Sequence, residues 1–179
     1  MKKYLAIICC FIFFIACNNS KKKIAPPVAV NQKIEADTIV FPYQPLYSSN
    51  FNNDVSDKDL LTVLNSYKLW ENGFMADLAD VYADTVTFIS PDGREYIGTK
   101  AGLLEQWTKK RDSIKTIQVQ VIAWTKLHEP AKGDNFIDVW YRETNTYKNG
   151  KKEVANYADR KQLVNGKIIW YSQYRQEAN

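Results

Sequence analysis

Apolar positions change their spacing several times along this chain, and each change marks a different kind of element. Over residues 4–15 they run almost unbroken. Over residues 20–53 they scatter among Pro26, Pro27, Pro42 and Pro45 with neither a helical nor a strand period, which predicts an extended tether. Its second half, with Phe41, Tyr43, Leu46, Tyr47 and Phe51, is more aromatic than a spacer needs and is expected to pack onto the domain. Over residues 56–71 the spacing of Leu60, Leu64, Tyr67 and Trp70 predicts a helix with one buried face. Ser56 followed three residues on by Asp59 is a capping pattern, and Asn72-Gly73 is a stop. A shorter helix is expected over residues 75–82. Strands are then expected over 85–90 and 94–98, joined as a hairpin by Asp92-Gly93. Thr99 can cap a third helix with the apolar stripe Leu103, Leu104 and Trp107, and its last turn carries Lys109, Lys110 and Arg111, suited to the negative end of a helix dipole.

From Ile114 the period becomes two. Ile117, Val119 and Val121 alternate with Gln118 and Gln120, and a loop with Pro130 and Gly133 leads to a strand over 136–147. Asn149-Gly150 and Asn165-Gly166 separate further strands over 151–164 and 167–176, a strong hairpin signal. Helices first and an antiparallel meander afterwards predict an α+β domain, its three N-terminal helices packed on one face of a curved, mainly antiparallel sheet. The chain thus divides into a leader (1–16), a tether (17–53) and one domain (54–179).

The apolar run of the leader follows Lys2 and Lys3 and ends at Ala16-Cys17, the order of parts in a secretory signal. It is shorter than the ~20 apolar residues a membrane-spanning helix needs. Phe14-Ile15-Ala16-Cys17 resembles a bacterial lipobox, with Phe14 where leucine is usual. That resemblance implies a diacylated Cys17 as the mature N-terminus, held to membrane lipid by more than one chain. The plainer alternative is an ordinary secretory signal that leaves Cys17 as a spare thiol. Cys9 and Cys10 lie in the leader, so a mature chain keeps only Cys17, with no internal disulfide and no cysteine metal site. Asn18 stands where, by resemblance to enteric bacterial lipoproteins, an aspartate would retain the protein at the inner membrane. The outer membrane of a Gram-negative bacterium is the expected location.

Loss of Lys2 and Lys3 with the leader lowers the formal charge from +4 to +2, which offers no footprint for nucleic acid. Lys21, Lys22 and Lys23 sit beside the anchor and solvate the tether or touch lipid headgroups. No Gly-rich phosphate loop, Ser/His/Asp series or nucleophilic cysteine is present in the domain, so no nucleotide or other cofactor is expected.

The element order and several phrases resemble the nuclear transport factor 2-like superfamily, including its SnoaL-like and ketosteroid isomerase families. The phrases are Tyr67-Lys-Leu-Trp-Glu-Asn-Gly73, Val81-Tyr-Ala-Asp84, Ile97-Gly98-Thr99 and Val164-Asn-Gly-Lys-Ile168. The resemblance implies a cystatin-like cone with a ligand site in its apolar mouth, and dimers through the outer sheet face. The isomerase pattern places Tyr67 at its tyrosine and Asp159 at its hydrogen-bonding acid, but Ser90, before Pro91, where a carboxylate base is required. Serine lacks the basicity for that role. Lys161, two residues beyond Asp159, is expected on the same sheet face and Arg142 beside them, which would keep Asp159 ionised. In SnoaL-like cyclases one aspartate does acid and base work, a role open to Asp159 and less well to Asp138; the favoured alternative is that Asp159 pairs with Lys161 or Arg142 and orders the sheet.

The expected pocket is Tyr67, Trp70, Ser90, Trp107, Trp140, Tyr157 and Asp159, with Trp124 at a wall or a dimer surface and His128 at the surface. Three readings follow. The first is a tethered domain that binds a small apolar or amphipathic ligand or a partner protein without catalysis. The second is a cofactor-independent isomerase, cyclase or dehydratase using Asp159 and Tyr67. The third is a dimeric scaffold of the envelope, with the cone plugged.

Overall fold

Ser56, extended at φ −63°, accepts the Asp59 amide and starts the first helix, α1 (Asp57–Asn72). The structure, a computed structural model, describes residues 42, 43 and 45–178. The leader, Cys17 and the first part of the tether lie outside the described residues. α1 is followed by α2 (Met75–Asp80), β1 (Tyr82–Ile89), β2 (Glu95–Thr99) and α3 (Lys100–Asp112), then by the long strands β3 (Ile114–Glu129), β4 (Asp134–Tyr147), β5 (Lys152–Val164) and β6 (Lys167–Glu177). Thr99 caps α3 by accepting the Gly102 amide. The second helix stops two residues short of expectation because Tyr82 already belongs to the sheet.

All six strands form one curved sheet in the order β2-β1-β6-β5-β4-β3. Every neighbouring pair is antiparallel except β1 with β6, which run parallel and bring the last strand between the first hairpin and the meander. Two turns set the register of the long strands. Asn165 and Gly166 both have positive φ (51° and 74°), the geometry of a two-residue hairpin turn, so Val164 faces Lys167. At the other hairpin Tyr147 pairs with Lys151, and the loop is three residues ending on Gly150 at φ 86°.

The helix-facing side of the sheet carries Ile137, Val139 and Tyr141 from β4 and Ala155, Tyr157 and Leu163 from β5, packed against Val63 and Tyr67 of α1 and Leu103 and Leu104 of α3. Arg111 ties the helical layer together. Its guanidinium donates to the carbonyl of Trp70, which also accepts the Gly73 amide, to that of Glu71 in the last turn of α1, and to that of Ile114.

Part of the expected tether belongs to the domain. The chain from Tyr43 onward groups with it, and Asn52 exchanges two backbone hydrogen bonds with His128. The Tyr47 hydroxyl bonds Asp134, and the rings of Tyr47 and Phe51 lie 6.2 and 6.4 Å from that of Phe136. His128, expected at the surface, is half-buried under this segment with Nδ1 2.7 Å from Asn135 Oδ1.

Candidate functional site

Between α1, α3 and the helix-facing side of the sheet lies an open cavity of about 690 Å³. Its walls are mainly aromatic: Tyr67 and Trp70 from α1, Trp107 from α3, Phe88 from β1, Tyr141 and Tyr157 from β4 and β5, and Tyr171 from β6. They pack on one another. Trp107 meets Phe88 edge to face at 5.4 Å, and Tyr141 stacks on Tyr157 at 5.1 Å with 12° between the rings. Ser90, Pro91, Arg94 and Tyr96 close one side, while Lys110, Glu153 and Arg175 lie on another. Arg175 is held by Glu153 at 2.9 Å and by the Tyr157 hydroxyl at 3.2 Å.

Beneath this aromatic wall is a buried polar cluster. Tyr67 and Tyr171 both donate to Asp159 Oδ2, at 2.8 and 2.9 Å, and Lys161 Nζ lies 3.7 Å from the same oxygen. Asp159 Oδ1 has no partner among the described residues. Burial pushes the Asp159 carboxyl up from its ordinary value, opposed by the Lys161 charge and the hydroxyls around it. Burial likewise pulls the Lys161 amine down to about 8, against the attraction of Asp159. The Tyr67 and Tyr171 hydroxyls are raised well above the usual range, first by burial and then by the Asp159 charge.

Of the residues expected in the pocket, Tyr67, Trp70, Ser90, Trp107 and Tyr157 line the cavity. Asp159 lies behind Tyr67 and Tyr171, with no exposed side-chain surface and no place in the lining. It accepts hydrogen bonds from the two tyrosines instead of facing a ligand. Trp140 does not belong to the pocket. Asp159 faces Val139 across the ladder, so Val139 and Tyr141 point to the helices and Trp140 points to the outer face, 40% exposed. Arg142, expected beside Asp159, lies on the outer face for the same reason and donates to Asn156. Asp138 is on that face too, in a bidentate pair with Arg160 at 2.8 and 2.6 Å. Trp124 turns toward α1 after a bulge in β3 and borders a shallow groove with Leu64 and Lys68.

Two wall residues escape a reading of the sequence. Glu143, two residues beyond Tyr141 on the same face, accepts from Trp70 Nε1 at 3.0 Å and from Asn145 Nδ2 at 2.7 Å, and burial raises its carboxyl. Period-two counting along β4 would have found it. Tyr171 is harder to find, since a bulge in the β5–β6 ladder sets which residue of β6 faces Lys161.

Known proteins share this architecture. A nuclear transport factor 2-like protein from Anabaena variabilis superposes with a TM-score of 0.53 at 19% identity, covering 69% of this chain and 92% of its own. An LEH-like epoxide hydrolase from M. tuberculosis gives 0.57 at 7% identity, over 68% and 84%. A protein of ketosteroid isomerase-like fold from Catenulispora acidiphila, in complex with trimethylamine, gives 0.52 at 11% identity, over 63% and 83%. No protein-family model matches the chain, and no curated protein matches it by sequence. The domain has the nuclear transport factor 2-like fold. That fold carries enzymes and ligand-binding proteins alike, so the likeness fixes architecture and leaves chemistry to the residues of this cavity.

Proposed function

We propose that the domain is a binding module for a small amphipathic molecule with an aromatic or otherwise flat apolar body, held at the cell envelope by a lipid on Cys17. The observation that carries this reading is the open cavity of about 690 Å³ with aromatic walls and a few convergent polar groups, the usual make-up of a small-molecule site. A scaffold with a plugged cone would need that space filled by side chains. Proton transfer by Asp159 and Tyr67 has less support, because Asp159 lies behind the wall and each of the two groups already serves the other.

Binding is tested with cinnamyl alcohol, an aryl body with one hydroxyl, followed by quenching of tryptophan fluorescence from Trp70 and Trp107 in the wall. Saturable quenching is expected. Its absence for this probe and for larger aryl alcohols would remove the support. The anchor is tested separately by Cys17→Ser, which is expected to move the protein from the membrane fraction to the soluble one.

A further inference from the structure

Lys161 is one of the residues lining the cavity, and its ammonium has no close carboxylate. Its side chain is among the largest fully buried in the protein. It has three N–H donors, yet its only hydrogen bond among the described residues is to Ser66 Oγ at 3.3 Å. Asp159 Oδ2 is 3.7 Å away and already accepts from two tyrosines, whereas an ammonium and a carboxylate that hydrogen-bond stand about 2.7–2.9 Å apart. The remaining neighbours are the ring faces of Tyr67 and Tyr171, whose centroids lie 3.7 and 4.7 Å from Nζ and which attract a cation. A lysine kept only for structure gains from a close carboxylate. Burial away from water favours the free amine of Lys161, and Asp159 lies near enough to exchange a proton with it.

We propose that Lys161 captures the carbonyl carbon of an aldehyde or ketone ligand as a Schiff base in the wall of the cavity. The inference rests on the cavity being a ligand site and names the class of ligand: a carbonyl group carried at the end of an aryl or conjugated body. The Lys161 ammonium passes one proton to Asp159, and the free Nζ pair forms a bond to the carbonyl carbon. The second N–H proton moves to the former carbonyl oxygen, giving a carbinolamine. Asp159 returns its proton to Nζ, from which it passes to that hydroxyl; the C–O bond breaks, and water leaves. The product is a protonated imine beside an ionised Asp159. One amine and one carbonyl are consumed, one imine and one water are formed, and the charge is unchanged. Nothing is oxidised or reduced. The depressed basicity of Lys161 supports the first step, since it raises the share of free amine near neutral pH.

The experiment treats the purified full-length protein with cinnamaldehyde and sodium cyanoborohydride, then maps the reduced adduct by peptide mass spectrometry. Labelling of Lys161 is expected to exceed that of exposed lysines such as Lys132 and Lys151 by more than about tenfold, because only a free amine reacts. Lys161→Arg keeps the charge, cannot form the imine and is expected to abolish that adduct. Should the variant fail to fold, the peptide map of the unaltered protein decides alone. Cinnamyl alcohol, which lacks the electrophilic carbon, is titrated in parallel. Binding of the alcohol without an adduct at Lys161, or adducts confined to exposed lysines, overturns the Schiff base and leaves the binding module standing. Failure of both the alcohol and the adduct overturns both.

Discussion

Replacing Lys161 by Met tests the buried cluster through the pH dependence of stability. Lys161 titrates at 10.5 when unfolded and at about 8 when buried, so between those values the unfolded chain holds a proton that the folded one has released. A depressed basic group contributes stability that is full above its unfolded value and is lost as pH falls through its folded value, so the wild type gains stability as pH rises across this window. Integrating the proton difference from pH 7 to 9.5 gives about 2 kcal/mol. The groups facing the amine set the limits of the window. Burial raises Asp159 from the acid side, and Tyr67 and Tyr171, raised well above 10, begin to oppose folding only when unfolded tyrosines ionise near 10. In Lys161→Met the gain is absent, and any upward movement of Asp159 without its cation makes the variant lose stability with pH, widening the difference. Urea unfolding of both proteins at pH 7, 8, 9 and 9.5 reads the effect directly. Parallel curves would show that Lys161 is not desolvated as its surroundings require and that its amine is not poised to react.

Four further outcomes are expected. Ser56→Ala removes the 3.0 Å bond to the Asp59 amide and lowers stability by about 1 kcal/mol in chemical denaturation. Arg111→Met strips charged donors from the carbonyls of Trp70, Glu71 and Ile114 and costs about 2 kcal/mol by the same measurement, while cooperativity is kept. Trp107→Ala opens the wall between Phe88 and Tyr171 and weakens cinnamyl alcohol about tenfold in a fluorescence titration. Trp140→Ala, on the outer face, leaves that affinity unchanged.

The elements were legible in the sequence because their signals are local. Ser56, Gly73, Thr99 and the two Asn-Gly pairs bound helices and strands that stand within a few residues of expectation. Side-chain directions in the long strands were harder, because they depend on how many residues each turn and bulge consumes. A two-residue loop at Asn149-Gly150 would set Trp140 opposite Asp159 and turn Arg142 to the same face. The actual three-residue loop shifts the ladder by one and sends both to the other side. The β5–β6 bulge acts in the opposite sense: counting from Asn165-Gly166 puts Trp170 opposite Lys161, and the extra residue puts Tyr171 there. The parallel contact of β1 with β6 has no local signal, since it joins segments far apart in the chain.

That parallel contact also decides when the protein can be finished. A chain delivered from its N-terminus presents the three helices and the first hairpin early, but β1 has no neighbour on its inner edge until β6 arrives at the very end. Tyr171, on that last strand, is also the residue that completes the Asp159 cluster and one wall of the cavity. Assembly therefore waits for the C-terminus, as expected of a domain whose pairings are distant in sequence. A nascent or prematurely ended chain without β6 lacks Tyr171, and with it a wall of the cavity and a partner of Asp159.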